Sequence, residues 1–118
     1  MSTHFITLAK AIELTQEFRS NKENVLLAEH RNTGLLPICE TFSRDAIDAL
    51  LAENDCQSLR IYFGMTSELK VNLVLVGVDS AGRDLLPGSG STEPDNNIVE
   101  DGIRCPTTCP PSSPLNED

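Results

Sequence analysis

The sequence has few aromatic residues and few cations. There is no Trp, one Tyr and four Phe among 118 residues, so aliphatic side chains must supply most of any core. Lys and Arg number nine against eighteen Asp and Glu, which gives a formal net charge of −9. The cations are scattered, whereas a nucleic-acid-binding protein needs clustered cations to displace counterions from phosphates. The composition therefore argues against nucleic acid as a partner, and against docking on an anionic membrane surface.

Long hydrophobic runs are also absent. The longest apolar stretch, Leu73 to Val78, is much shorter than the roughly 20 residues that span a bilayer. The first residues, Met1 to Phe5, lack the basic segment of a secretory signal, and no apolar run of the kind that follows such a segment is present. We therefore expect a cytoplasmic protein. A reducing cytosol would keep its four cysteines as thiols or metal thiolates.

A change of composition near residue 87 predicts two parts. Apolar residues make up 39% of the chain, which is enough for the core of one domain, and we assign that domain to residues 1–86. Residues 87–118 are acidic and contain six of the seven prolines, all but Pro37. The stretch Gly88-Ser89-Gly90-Ser91 has the composition of a flexible linker. We therefore expect an irregular Pro/Gly/Ser-rich tail, with an apolar docking point around residues 98–104.

The first segment predicts an amphipathic helix. Thr7, or Thr3 one turn earlier, suits its N-cap, and Ser20-Asn21 ends the pattern. Residues 23–34 fit a helical extension or a short strand equally well. Because the apolar stripe is broad, we expect the helix to lie on a sheet. The stripe shows the spacing of three and four that marks a helix face, and its members are Leu8, Ala9, Ala11, Ile12 and Phe18.

The second helix carries the clearest boundary signals. Ser43 is a good N-cap, and the apolar periodicity ends at Asn54-Asp55, which predicts about three turns. The segment before it, residues 35–42, contains Pro37. Because proline cannot donate to a ladder, this segment is predicted to be an edge strand or an extended loop.

A β-hairpin follows. Residues 59–63 alternate apolar and polar side chains, which predicts a half-buried strand. The next strand, Leu69 to Val78, ends in an apolar run of the kind a central strand covered on both faces requires. A turn over Asp79 to Gly82 and a short third strand over Arg83 to Leu86 complete the pattern. The expected fold class is α+β: a small antiparallel sheet, a meander around residues 58–86, covered by two helices, with an irregular C-terminal tail.

Arg60, Tyr62 and Asp79 are the candidate polar site. Arg60 and Tyr62 lie two apart on a strand and so point the same way, and a guanidinium fork can hold an anion or a partner's carboxylate. In the alternative interpretation, Arg60 pairs with an acid on a helix and Tyr62 is half-buried. Asp79 follows the central strand, where sheets often bind ligands, but it is also the first residue of a turn that it can cap itself.

Cys105-Pro106-Thr107-Thr108-Cys109 is the candidate metal or redox motif. Two thiols at this spacing can share a zinc ion, but a tetrahedral site takes four ligands and the sequence has no second such pair. A reversible Cys105–Cys109 disulfide and two unpaired thiols are the other interpretations. Cys39 and Cys56 are most simply small buried hydrophobes. We expect no resident cofactor.

Three stretches together resemble a family of small uncharacterised bacterial proteins. They are Leu59-Arg60-Ile61-Tyr62-Phe63-Gly64, then Leu73-Val74-Leu75-Val76-Gly77-Val78-Asp79 with Gly82 and Asp84, and then Cys105-Pro106 to Cys109-Pro110. The family is similar in plan: an N-terminal helix, an RIYFG-like strand, an LVGVD-like strand and a Cys-Pro-x-x-Cys tail. The resemblance covers most of the chain. The resemblance implies no activity. It does imply that Cys105 and Cys109 of the tail have a role and do not occur there by chance.

Three hypotheses for the function follow. No Gly-rich phosphate loop or nucleophile elbow is present, so nothing in the sequence supports an enzyme. The leading hypothesis is a small non-catalytic interaction or regulatory module, because a hairpin edge can pair with another chain to give a homodimer or a complex with a protein partner. The second is a thiol or metal-binding protein that uses Cys105 and Cys109. The third is a small ligand-binding protein or hydrolase that uses Arg60, Tyr62 and Asp79.

Overall fold

The structure, a computed structural model, describes residues 4–87 and 98–117. The linker expected over Gly88 to Ser91 lies outside these residues. The chain divides into two compact units, one formed by Met1–Cys39 with Arg104–Asp118 and the other by Glu40–Ile103. The domain boundary near residue 87 rests on composition and stays a prediction.

The secondary structure confirms the α+β class. Two helices and five short strands lie in the described part of the chain, and the ambiguous residues 23–34 contain two 3₁₀ turns. In chain order the elements are α1 (Leu8–Asn21), the 3₁₀ turns Lys22–Val25 and Ala28–His30, β1 (Cys39–Thr41), α2 (Arg44–Leu51), β2 (Ser58–Met65), β3 (Val71–Val78), β4 (Ile98–Val99) and β5 (Ile103–Cys105).

A three-stranded antiparallel sheet of order β2–β3–β4 lies in the unit Glu40–Ile103. β2 and β3 pair along their whole length, from Ser58 opposite Val78 to Met65 opposite Val71. β4 pairs with the second half of β3. β3 is therefore the central strand, and residues 75–78 are buried, as the apolar run predicted.

The third strand of the meander is not where the sequence predicted it. Residues 83–86 form no strand, and only an isolated bridge joins Val78 to Asp84. The next ladder position on β3, Val76, is taken by Ile98 of β4. Since Pro87 has no N–H to donate, the segment after Asp84 could not have continued the ladder through that residue.

α2 packs on this sheet. Ser43 caps it, because its Oγ accepts a hydrogen bond from the Ala46 N–H at 3.2 Å, as predicted. Leu50 is completely buried. A Cβ on Gly77 of β3 would lie 2.9 Å from Cys56 Sγ and 3.3 Å from the Leu50 carbonyl oxygen. The missing side chain at Gly77 therefore allows the close approach of α2 to the central strand.

α1 belongs to the other unit. Its N-cap is Thr7, whose Oγ1 accepts from the Lys10 N–H at 3.1 Å, as predicted. Arg19 donates to the Leu115 carbonyl oxygen at 2.7 Å, which ties the helix to the C-terminal segment. The expectation that a sheet buries the apolar stripe is not met, because no residue of α1 is buried. The large apolar side chains that stay exposed on α1 are Leu8, Leu14 and Phe18.

β1 and β5 form a second, two-stranded sheet. The open prediction for residues 35–42 is therefore resolved as a strand over Cys39–Thr41. Beside it, the Ile38 N–H donates to the Cys105 carbonyl oxygen at 2.8 Å, and Cys105 is buried. Leu35 is also buried, and the Arg104 guanidinium donates to its carbonyl oxygen at 3.4 Å.

Candidate functional site

Arg60 and Tyr62 lie on the same side of β2 and share one partner, Asp84. Arg60 Nη1 donates to Asp84 Oδ1 at 2.6 Å, and the Tyr62 hydroxyl donates to Asp84 Oδ2 at 2.5 Å. Arg60 also donates to the Gly82 carbonyl oxygen at 3.3 Å. Asp84 reaches this position because its bridge to Val78 holds the loop against the sheet. We call Arg60, Tyr62 and Asp84 the Asp84 cluster.

Each member of the Asp84 cluster shifts the pKa of the others. The hydrogen bond from Tyr62, and then the Arg60 guanidinium, lower the pKa of the Asp84 carboxyl. The same hydrogen bond to Asp84, with partial desolvation, raises the pKa of the Tyr62 phenol. The bond to Asp84 also raises the pKa of Arg60. At neutral pH the cluster is a carboxylate that accepts from a guanidinium and a neutral phenol.

The acid of the cluster was not a sequence candidate. The alternative interpretation placed the partner of Arg60 on a helix, but Asp84 lies in the loop after β3. The sequence predicted a short strand over Arg83 to Leu86, the segment that contains Asp84. The signal that could have found it is the turn itself: a turn over residues 79–82 returns the chain beside Val78, next to the strand that carries Arg60.

Asp79 caps its own turn. Its Oδ1 accepts from the backbone N–H groups of Ala81 and Arg83, each at 2.9 Å, and its Oδ2 pairs with Arg83 Nε at 3.1 Å. The Arg83 N–H is the main reason that the pKa of Asp79 is lowered. The Ser80 hydroxyl donates to Asp55 Oδ2 at 2.9 Å and fixes the turn further. Asp79 therefore has the structural role that its place in the turn predicted.

An open depression of about 650 Å³ lies beside this turn, and both Arg60 and Asp79 line it. Tyr62 is not among its lining residues. The other lining residues are Gln57, Ser58, Leu59, Ile61, Val78, Ser80 and Gly82, so the depression as the structure describes it contains no histidine or cysteine. Because internal hydrogen bonds engage both charged groups, the depression offers no nucleophile next to a free general base.

The outer edge of β2 is the most exposed apolar feature of this unit. β2 is the last strand in the sheet order, and within residues 4–87 and 98–117 no strand pairs with its outer side. Phe63 is 83% exposed, Met65 61% and Ile61 48%. We call this outer side, with those three side chains, the β2 edge. The alternation of residues 59–63 had predicted a buried face, so the sequence interpretation missed the exposure of Phe63.

The two candidate cysteines of the tail are joined. Cys105 and Cys109 form a disulfide, in which Cys105 is buried in β5 and Cys109 is exposed. Cys39 and Cys56 are free, half-buried thiols. No group of three or more His, Cys, Asp or Glu that could hold a metal ion occurs in the described residues. The structure thus contains the disulfide that was one of the interpretations left open by the sequence.

Comparison with known proteins adds no relative. No family model, curated protein or solved structure matches this chain. No helix among the described residues is both long and apolar enough to cross a bilayer. The fold and the sites define a small α+β protein in which no described strand pairs with the outer side of β2. The resemblance to a bacterial family, the cytoplasmic location and the absence of a nucleic-acid partner stay predictions.

Proposed function

We propose that this protein is a small non-catalytic interaction module whose binding element is the β2 edge. The observation that carries the proposal is an eight-residue strand at the end of the sheet, with Phe63, Met65 and Ile61 exposed along it. The edge of such a strand offers a row of unpaired N–H and C=O groups to an incoming chain. Adding a strand there gives backbone hydrogen bonds, and the exposed side chains give specificity.

The edge also lacks the features that usually protect a sheet edge. Proteins block such edges with lysines, prolines, bulges or inward-pointing charges. Between Ser58 and Met65 there is no Lys and no Pro, and the one charged residue is Arg60. Asp84 neutralises Arg60 within the chain. The strand is therefore open to pairing, which supports a binding role.

The Asp84 cluster supports the same function. Its hydrogen bonds engage the side chains that the ligand-binding or hydrolase hypothesis requires, and Asp79 is engaged by its own turn. An external anion would have to displace Asp84 from Arg60 and Tyr62. The cluster therefore holds the loop after β3 to the sheet, and the hydrolase alternative receives less support than the interaction module.

Photo-crosslinking in living cells tests the proposal. A benzoylphenylalanine at position 63 replaces an exposed side chain of the β2 edge, and one at position 25 replaces Val25, which at 76% is almost as exposed as Phe63 and belongs to the other unit. We expect light-dependent adducts from position 63 and few from position 25. The adducts, identified by mass spectrometry, contain either a second copy of the chain or another protein. Equal adduct yields from both positions would overturn the proposed function.

A second candidate function is thiol–disulfide exchange at Cys105 and Cys109, which the disulfide between them favours. A thiolate of an external dithiol would attack the exposed Cys109 sulfur and release Cys105 as a thiolate, which takes up a proton. The second thiol of the reductant would then form its own disulfide and release Cys109. Two electrons and two protons thus pass from the dithiol to the protein.

Thiol trapping after equilibration with mixtures of reduced and oxidised dithiothreitol tests this candidate. Alkylation followed by mass spectrometry should show Cys105 and Cys109 changing together and reversibly between thiol and disulfide. Cys39 and Cys56, which are free in the structure, are the internal control and should be alkylated as thiols at every ratio. Cys105 and Cys109 that stay in one redox state across the whole range of ratios, or that change independently of each other, would refute the exchange function.

A further inference from the structure

We propose that the occupant of the β2 edge is a second copy of this chain, paired antiparallel with the first about a two-fold axis at Tyr62. The proposal rests on the proposed function and names its partner. Three observations support it: the direction of the backbone groups of β2, the fit between the side chains of β2 and those of a second β2, and the charge of the strand. Each of these follows from the ladder between β2 and β3.

The backbone groups of alternate residues on β2 point outward. In an antiparallel pair, alternate residues bond the partner strand and the intervening residues point away from it. The Lys70 carbonyl, just before β3, accepts from the Thr66 N–H at 2.9 Å, whereas the Gly77 carbonyl accepts from Leu85 on the other side of β3. The N–H and C=O groups of even-numbered residues of β3 therefore point to β2. The register pairs these residues with even-numbered residues of β2. The residues whose N–H and C=O point outward are Leu59, Ile61, Phe63 and Met65.

The side chains of β2 are complementary to those of a second β2. Odd-numbered residues must lie opposite odd-numbered residues, because only these have N–H and C=O groups that point to the second copy, and residues opposite each other have side chains on the same face of the sheet. In a two-fold pair the residue at the axis faces its own copy. With Tyr62 at the axis, Ile61 faces Phe63 of the second copy and Leu59 faces Met65. Each apolar side chain on this face of β2 then lies opposite another apolar side chain.

Charge is compatible with this register. The net charge of −9 opposes association of two copies in general, but the strand itself carries only Arg60, which Asp84 neutralises at 2.6 Å. An axis at Arg60 would set two guanidiniums opposite each other, which is destabilising. With the axis at Tyr62, Arg60 lies opposite Gly64 of the second copy. No like charges meet, because Gly64 has no side chain.

Light scattering after size exclusion tests the partner. The full chain should pass from one chain's mass to twice that mass as its concentration rises. Phe63→Lys places a charge opposite Ile61 of the second copy and should abolish the dimer over the same concentration range. Val25→Lys makes the same change at an exposed apolar residue of the other unit and should leave the dimer intact. A chain that is monomeric throughout, or a dimer that Phe63→Lys does not affect, overturns the proposal.

Disulfide trapping tests the register, in a background with Cys39 and Cys56 replaced by Ser. At the axis the two residues 62 form a non-hydrogen-bonded pair with Cβ atoms about 4.5–5.5 Å apart, close to the separation that a disulfide bridges. Tyr62→Cys should therefore give a reducible covalent dimer on mild oxidation, and Ile61→Cys should give much less. A covalent dimer from Ile61→Cys in place of Tyr62→Cys would overturn this register.

The two proposals fail in different ways. If position 63 crosslinks to another protein and the chain stays monomeric in light scattering, the second copy is refuted and the β2 edge remains the binding element. If position 63 gives no more adducts than position 25, the proposed function is refuted. A dimer that forms in solution and is abolished by Phe63→Lys, together with adducts of the chain with itself, supports both.

Discussion

β2 and β3 have the same length and pair residue by residue, yet most of β2 is exposed and the second half of β3 is buried. Leu75 of β3 is 3% exposed, whereas Ile61, its partner directly across the ladder, is 48% exposed. β3 has a neighbour on each side and α2 packed near Gly77. β2 has one neighbour among the described strands. Similar apolar side chains are therefore buried in β3 and exposed in β2, because the position of a strand in the sheet decides how much of its surface other elements cover.

The difference separates stability from recognition. Full burial of an aliphatic side chain stabilises a fold by about 1.5–3 kcal/mol relative to leaving it exposed, so the free energy of unfolding depends on β3. The apolar side chains of β2 gain little of this free energy in the single chain. These side chains would be buried only when a partner binds. Substitutions in both strands can test whether β3 determines the stability of the single chain and β2 determines association.

Leu75→Ala and Ile61→Ala are the sharpest paired test. Leu75→Ala removes buried methyl groups from the central strand and leaves a cavity, so we expect a loss of about 2–5 kcal/mol in the free energy of unfolding. Ile61→Ala acts on the exposed partner in the same ladder and should cost at most about 1 kcal/mol. Urea unfolding of dilute protein measures both. Equal losses would show that β2 is as well covered as β3 and would remove the distinction between the two strands.

Glycine substitutions probe how closely each strand is packed. Gly77→Ala places a Cβ 2.9 Å from Cys56 Sγ and 3.3 Å from a backbone carbonyl of α2, which cannot move independently. We expect a loss of about 1–3 kcal/mol. Gly64→Ala in β2 meets the side-chain oxygen of Asn72, and that side chain can rotate away.

Gly64→Ala should therefore stay within about 1 kcal/mol of the parent, since alanine also restricts the unfolded chain. Urea midpoints with unchanged slopes give the comparison. A larger loss at Gly64 than at Gly77 would mean that α2 is not packed on the central strand as described.

The helix caps and the central strand could be predicted from the sequence, because their signals are local. Thr7 and Ser43 cap the helices through hydrogen bonds three residues away, and the apolar run of β3 marks a strand covered on both faces. The third strand could not be predicted in this way. Ile98 competes with residues 83–86 for the same edge of β3, and a local pattern does not show which segment pairs there.

The candidate site could be predicted only in part, for the same reason. The two-residue spacing of Arg60 and Tyr62 placed both on one side of a strand, and this is confirmed by their shared bond to Asp84. The identity of that acid depends on how the chain returns after residue 79. The exposure of Phe63 depends on which other elements cover β2. The alternation of apolar and polar residues within β2 does not show this.

Asp84→Asn tests the bond between β2 and the loop after β3. The folded state lowers the pKa of Asp84, so its contribution to stability is present above the pKa of an unfolded Asp, about 4, and is lost as pH falls through the lower folded value. The parent should therefore lose stability below about pH 4 more steeply than Asp84→Asn. At pH 7 the variant should unfold at less urea than the parent, with a smaller decrease than for Leu75→Ala.

Tyr62 of the Asp84 cluster affects the stability at alkaline pH. The folded state raises the pKa of Tyr62, so its contribution is present below about pH 10 and is lost as pH rises through the folded value. Tyr62→Phe should flatten the alkaline loss of stability. Asp48→Asn removes an exposed carboxylate from α2 and is the control for the change in net charge. If Asp84→Asn loses stability below about pH 4 as steeply as the parent does, the Asp84 cluster contributes nothing to the stability of the folded state.

Phe63→Ser should have the smallest effect on the single chain and a qualitative effect on association. Because Phe63 is 83% exposed, its loss in dilute solution should change the free energy of unfolding by about 0.5 kcal/mol or less. A ligand that binds only the folded state raises stability by mass action, and a second copy acts as such a ligand. The Tm of the parent should therefore rise with protein concentration, that of Phe63→Ser should not, and that of Val25→Ser should follow the parent. If Phe63→Ser is strongly destabilised at the lowest concentration, the phenyl ring packs within the chain, and the contrast between the two strands fails at its most exposed residue.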